Sequence, residues 1–115
     1  MADYVYLDLE YLRSIVQGDR ALMQVIVDKF LAFTPEMIAE VKQSLAAEDY
    51  EAFEWRLHKL KGSVGSIGLV PTHRRITKLQ GMVKNQGDKS QIPSMTAQVI
   101  TEIEGAMAEM EQEFK

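Results

Sequence analysis

The chain has 115 residues, 46% of them hydrophobic and 26% charged, with a net charge of −4 and no cysteine. That length fits a single domain over residues 1–115 with a core of its own, and the composition is that of a folded globular protein rather than a disordered one. The missing cysteines exclude disulfides, thiolate metal sites and cysteine nucleophiles, and they suit the reducing cytoplasm. Asp8 can cap a short helix through Val16, ended by Gly18, and Asp19 starts a longer one. In that second helix Met23, Ile26, Phe30, Phe33, Met37, Val41 and Leu45 form an apolar stripe. The phase runs through Pro35 without a slip, which predicts one kinked helix rather than two.

Asp49 can cap a third helix whose apolar residues Tyr50, Phe53, Leu57, Leu60, Val64 and Ile67 keep helical spacing, with Gly68 as its left-handed stop. Pro71 suits the first turn of a fourth, which points Ile76, Leu79 and Val83 inward. Asn85-Gln86-Gly87-Asp88 reads as a loop. A last helix beginning between Ser90 and Ser94 carries Ile92, Met95, Val99, Ile103, Met107, Met110 and Phe114. Strand signals are absent. The expected architecture is all-α: an antiparallel four-helix bundle with a short extra N-terminal helix. One apolar stripe per helix leaves no surplus to bury, so a monomer is expected. No apolar run is long enough to span a bilayer, and Met1-Ala2-Asp3-Tyr4 lacks the charged start of an export signal.

Charge is unevenly placed. From Trp55 to Gly87 there is no Asp or Glu, while Arg56, Lys59, Lys61, Arg74, Arg75, Lys78 and Lys84 are all positive. Within this segment lies His58-Lys59-Leu60-Lys61-Gly62-Ser63-Val64-Gly65. Two glycines inside a helical pattern each weaken it by about 1 kcal/mol relative to alanine. At 100° per residue, His58 lies roughly 130° from the centre of the apolar stripe, with Gly62 and Gly65 within about 40° of it and Lys61 within about 60°. The ring is therefore expected in solvent, beside bare backbone and an ammonium. Histidine's neutral form is well populated near pH 7, so a ring nitrogen can attack phosphorus without a separate base. Lys61 can offset charge on phosphoryl oxygens.

The run from His58 through Lys61, Gly62 and Ser63 to Gly68 resembles the signature of bacterial histidine phosphotransfer (HPt) domains. The likeness extends over nearly the whole chain from about Leu7, including the Gly18-Asp19 step, Phe33-Thr34-Pro35 and Ala47-Glu48-Asp49. Val64 stands where the family often has a small residue, and Leu69 where alanine is common. The resemblance implies a four-helix phosphorelay module in which His58 takes a phosphoryl group, on Nε2, from an aspartate of a response-regulator receiver domain and passes it to another. It implies a hybrid sensor histidine kinase as a further partner and magnesium on the receiver. No cofactor of the chain's own, and no kinase or ATPase activity, is expected.

Trp55, one turn before His58, reads as an exposed contact residue, and with Gly62 and Gly65 it forms the expected docking surface. His73 reads as a solvated residue or part of the basic rim. Gly81 is read as allowing close helix packing. The main rival is an adaptor of the same shape that docks receivers without carrying phosphate; His58 and Lys61 argue against it. A metal or haem bundle lacks ligands, with two histidines, no cysteine and no Glu-x-x-His pair. Nucleic-acid binding is not expected of an acidic chain without an aromatic platform among its bases.

Overall fold

Asp8, Asp19 and Asp49 each place a carboxylate oxygen on a backbone N–H three residues later, accepting from Tyr11 at 3.0 Å, Leu22 at 3.1 Å and Ala52 at 3.2 Å. These caps satisfy donors that a helix start leaves unpaired. They open α1 (Leu9–Ile15), α2 (Arg20–Ala46) and α3 (Tyr50–Ser66). Pro71 and Pro93 lie in the first turns of α4 (Val70–Lys84) and α5 (Ile92–Phe114), where a missing N–H costs no helical bond. The computed structural model describes residues 4–85 and 89–115, with no strand among them. Of the expected loop, Asn85 follows α4 directly, and residues 86–88 lie outside the described residues.

Helices α2 to α5 form a ring in which each packs on its neighbours in sequence and α5 closes against α2. The register shows that α3 and α4 run antiparallel: Glu54 pairs with Lys84 near one end, while Gly65 meets His73 near the other. The core is one cluster. Phe53, Leu57, Leu60 and Val64 of α3 face Ile76 and Leu79 of α4, together with Val99, Ile103 and Met110 of α5, all buried. At the α3–α4 corner Gly68 has φ +82°, and the Leu69 N–H bonds the Val64 carbonyl at 3.0 Å. The ring of Tyr11 occupies the space a Cβ on Gly68 would need. Glycine is thus required there twice, by backbone angle and by space.

Gly18 (φ +82°) ends the α1 turn in the left-handed region as expected, joined there by Gln17 (φ 53°). Two expectations for α2 need correction. Its buried row is Met23, Val27, Phe30, Thr34, Ile38, Val41 and Ser44. Ile26, Met37 and Leu45 pack only at the edge of the core, and Phe33 is 60% exposed. The helix is apolar over a wide arc, and its true inward row passes through two hydroxyl residues. Ser44 satisfies its own hydroxyl, donating to the Glu40 and Val41 carbonyls at 3.0 and 3.1 Å, so burying it costs little. Leu22, Val25 and Phe33 leave α2 with apolar surface beyond its core row, against the expectation of one stripe per helix. The helix is continuous through Pro35, as its phase predicted.

The segment before α1 is strapped onto α5. Glu109 accepts the backbone N–H groups of Val5, Tyr6 and Leu7 at 2.7–2.9 Å. The ring of Tyr6 covers Gly105. The Tyr4 hydroxyl donates to Glu113 at 3.0 Å, and Arg20 reaches the same carboxylate at 3.1 Å. These two partners, Tyr4 first, hold the Glu113 carboxyl below the usual range, while burial and the bond to Glu113 push the Tyr4 phenol up.

Candidate functional site

Helix α3 buries Phe53, Leu57, Leu60 and Val64, which turns the opposite face to solvent and places His58 on it, exposed. Trp55, one turn earlier, is 63% exposed, and its ring stacks on that of His58 with centroids 6.1 Å apart and planes 21° from parallel. Lys61 follows one turn after His58, half-buried. At Gly62 a Cβ would meet nothing within 4 Å, so open space lies over the backbone next to His58.

Gly65 is different. A Cβ there would lie 3.1 Å from Cδ2 and 3.6 Å from Nε2 of His73, so its bare backbone seats the imidazole of α4. His73 is half-buried against the Gly65 backbone, so it is not simply a solvated residue. No sequence signal links it to Gly65, because the contact is made between helices. Gly81, by contrast, has nothing within 4 Å of a Cβ, so close helix packing does not explain it.

Of the seven bases in the acid-free segment, three are paired across helices: Arg56 with Glu40, Arg75 with Glu102 and Lys84 with Glu54. Lys59, Lys61, Arg74 and Lys78 have no carboxylate partner among the described residues. Lys61, one turn from His58, therefore has no carboxylate to neutralise its charge among the described residues. Lys59 and Ser63 border a groove against Phe33 and Met37 of α2, on the other flank of α3. Two further grooves lie between α2 and α5, around Lys42 and Glu104; one reaches Tyr50 at the start of α3, and neither includes His58. A residue that reacts inside a partner's active site needs exposure rather than a pocket of its own.

Val64 and Leu69 are both fully buried, so their departures from the family pattern alter the core and not the exposed face. Among the described residues, no group of three or more His, Asp or Glu side chains gathers to hold a metal ion, and no helix is long and apolar enough to cross a membrane.

Comparison with known proteins points the same way. The chain superposes on histidine-containing phosphotransfer protein B of Pseudomonas aeruginosa PAO1 with a TM-score of 0.83 at 21% identity, covering 97% of this chain and 96% of that one. It superposes on the HPT domain of a sensor hybrid histidine kinase from Shewanella with a TM-score of 0.79 at 17% identity, covering 93% and 92%. At such identities the likeness is one of fold. No curated protein sequence matches the chain. Residues 25–113 match the model of the Hpt domain, and the chain belongs to that family, the histidine phosphotransfer modules of His–Asp phosphorelays.

Proposed function

We propose that His58 is the phosphoacceptor and that the protein relays phosphate between receiver domains as their co-substrate. The observation that carries this is the exposed imidazole of His58 beside the open backbone of Gly62, with the unpaired ammonium of Lys61 one turn on. In the forward step a ring-nitrogen lone pair of His58, from Nε2, bonds to phosphorus as the acyl–phosphate O–P bond of a receiver aspartate breaks. The aspartate leaves as carboxylate, and the other ring nitrogen keeps its proton. Lys61 offsets charge on the phosphoryl oxygens as they pass, and its effect is greatest once the partner excludes water. The reverse step passes the group to a second receiver.

Magnesium sits on the receiver and not on this chain, and the protein has no kinase or ATPase chemistry of its own. Its setting is cytoplasmic, with a hybrid sensor histidine kinase upstream. Gly62 gives a receiver room to bring its aspartyl phosphate onto the ring. Transfer of label from a panel of phosphorylated receivers tests the proposal. At least one should deliver an acid-labile, base-stable label, lost in His58→Gln and reduced at least tenfold in Lys61→Ala. A wild type that binds receivers yet stays unlabelled throughout is the adaptor instead.

A further inference from the structure

We infer that Trp55 is a positioning residue for phosphoryl transfer at His58: its indole, stacked on the imidazole, holds the acceptor ring in one orientation with its nitrogens at the free edge. This rests on the assignment of His58 as acceptor. Trp55 is the only tryptophan in the chain. It is 63% exposed, so the core gains little from it, and its one ring partner among the described residues is His58, at 6.1 Å and 21°. A large aromatic left in water with a functional ring as its neighbour calls for an explanation other than packing.

The geometry supplies one. In a helix the Cα–Cβ bonds tilt toward the N-terminus, so the His58 side chain leans back over the turn that carries Trp55. At 6.1 Å between centroids the near-parallel rings are offset, so the indole lies alongside one face of the imidazole rather than over the whole of it. The lone pair of the unprotonated nitrogen lies in the ring plane, and the N–P bond must form in that plane. The indole therefore restricts rotation of the acceptor without blocking the attacking atom. On the C-terminal side of His58 the open space over Gly62 leaves nothing of comparable size to restrain the ring. Trp55 below and Lys61 above divide the work: one fixes the ring, the other meets the charge. A nucleophile already held in its reactive orientation loses less freedom when the partner closes.

Two measurements on the whole protein test this. One is the χ1 population of His58, from three-bond couplings. The other is the rate of transfer from the phosphorylated receiver domain that exchanges fastest with the wild type. Wild type and Trp55→Phe should each hold one dominant rotamer and transfer at similar rates. Trp55→Ala should average over rotamers and slow about two- to tenfold, the range that one ring–ring contact supports, with an unchanged circular dichroism spectrum. A Trp55→Ala protein that keeps a single rotamer overturns the inference; if its transfer is slow all the same, Trp55 is a docking contact. Averaging of the ring with no loss of rate overturns it equally. A wild type that no receiver phosphorylates is a separate failure, since it removes His58 as acceptor whatever the rotamers show.

Discussion

The imidazole of His73 rests on the bare backbone of Gly65, close enough that a methyl group on Gly65 would press on Cδ2 at 3.1 Å. One glycine of the His58 helix therefore serves a contact inside the molecule, while the other, Gly62, faces open space. The two should respond differently to substitution. Alanine at position 65 gains helix propensity, about 1 kcal/mol, but must displace His73. In a His73→Ala background that obstacle is gone. Urea unfolding of the four proteins should give a coupling of about 0.5–1 kcal/mol between the two sites. Equal effects of Gly65→Ala in both backgrounds would mean that the contact carries no energy.

Gly62→Ala should make the protein more stable and less active. A Cβ there touches nothing, so the full propensity gain of about 1 kcal/mol should appear in the unfolding free energy. The same methyl group intrudes where a receiver must approach His58, so transfer should slow while small phosphodonors such as phosphoramidate still label the ring. A variant that is stabilised and transfers normally would show that the space over Gly62 is not used.

Glu48 has φ 54°, a left-handed angle that costs a non-glycine residue about 1 kcal/mol. It ends α2 in a turn closed by the Asp49 N–H on the Ser44 carbonyl at 3.0 Å, and Asp49 then caps α3. Glu48→Gly should raise stability by up to about 1 kcal/mol in thermal or urea unfolding, with transfer unchanged because the turn is distant from His58.

The Tyr4–Glu113–Arg20 cluster sets a pH dependence. Glu113 titrates below its ordinary value when folded, through Tyr4 first and Arg20 next. A depressed carboxyl stabilises the fold above its unfolded pKa, near 4.3, and loses that contribution as pH falls through the folded value. The melting temperature of wild type should therefore exceed that of Glu113→Gln at pH 6–7, and the gap should close in more acidic solution. A gap that persists at pH 2 would place its origin in packing rather than charge.

Much of the fold is legible in the chain because its signals are local. Asp8, Asp19, Asp49, Pro71 and Gly68 act within one helical turn of themselves, and each sits where its chemistry predicts. The α2 core row is not legible from apolar spacing, because Thr34 and Ser44 are buried polar residues and a count of apolar positions passes them over in favour of Phe33 and Leu45. The strap on α5 gave no signal, since Glu109 binds backbone N–H groups about a hundred residues away. The same division holds at the site. His58, Lys61 and Gly62 share one helix and could be placed from spacing alone, whereas the seat of His73 on Gly65 exists only once α3 and α4 pack.

The nitrogen–proton spectrum of the two imidazoles, recorded as a phosphorylated receiver is added, tests phosphoacceptance most directly. Phosphorylation at His58 predicts that one ring nitrogen of that residue shifts as phosphate leaves the receiver, while the His73 nitrogens keep the pattern of an unmodified ring. Phosphate lost from the receiver with both rings unmodified, or carried on His73 instead, would contradict it.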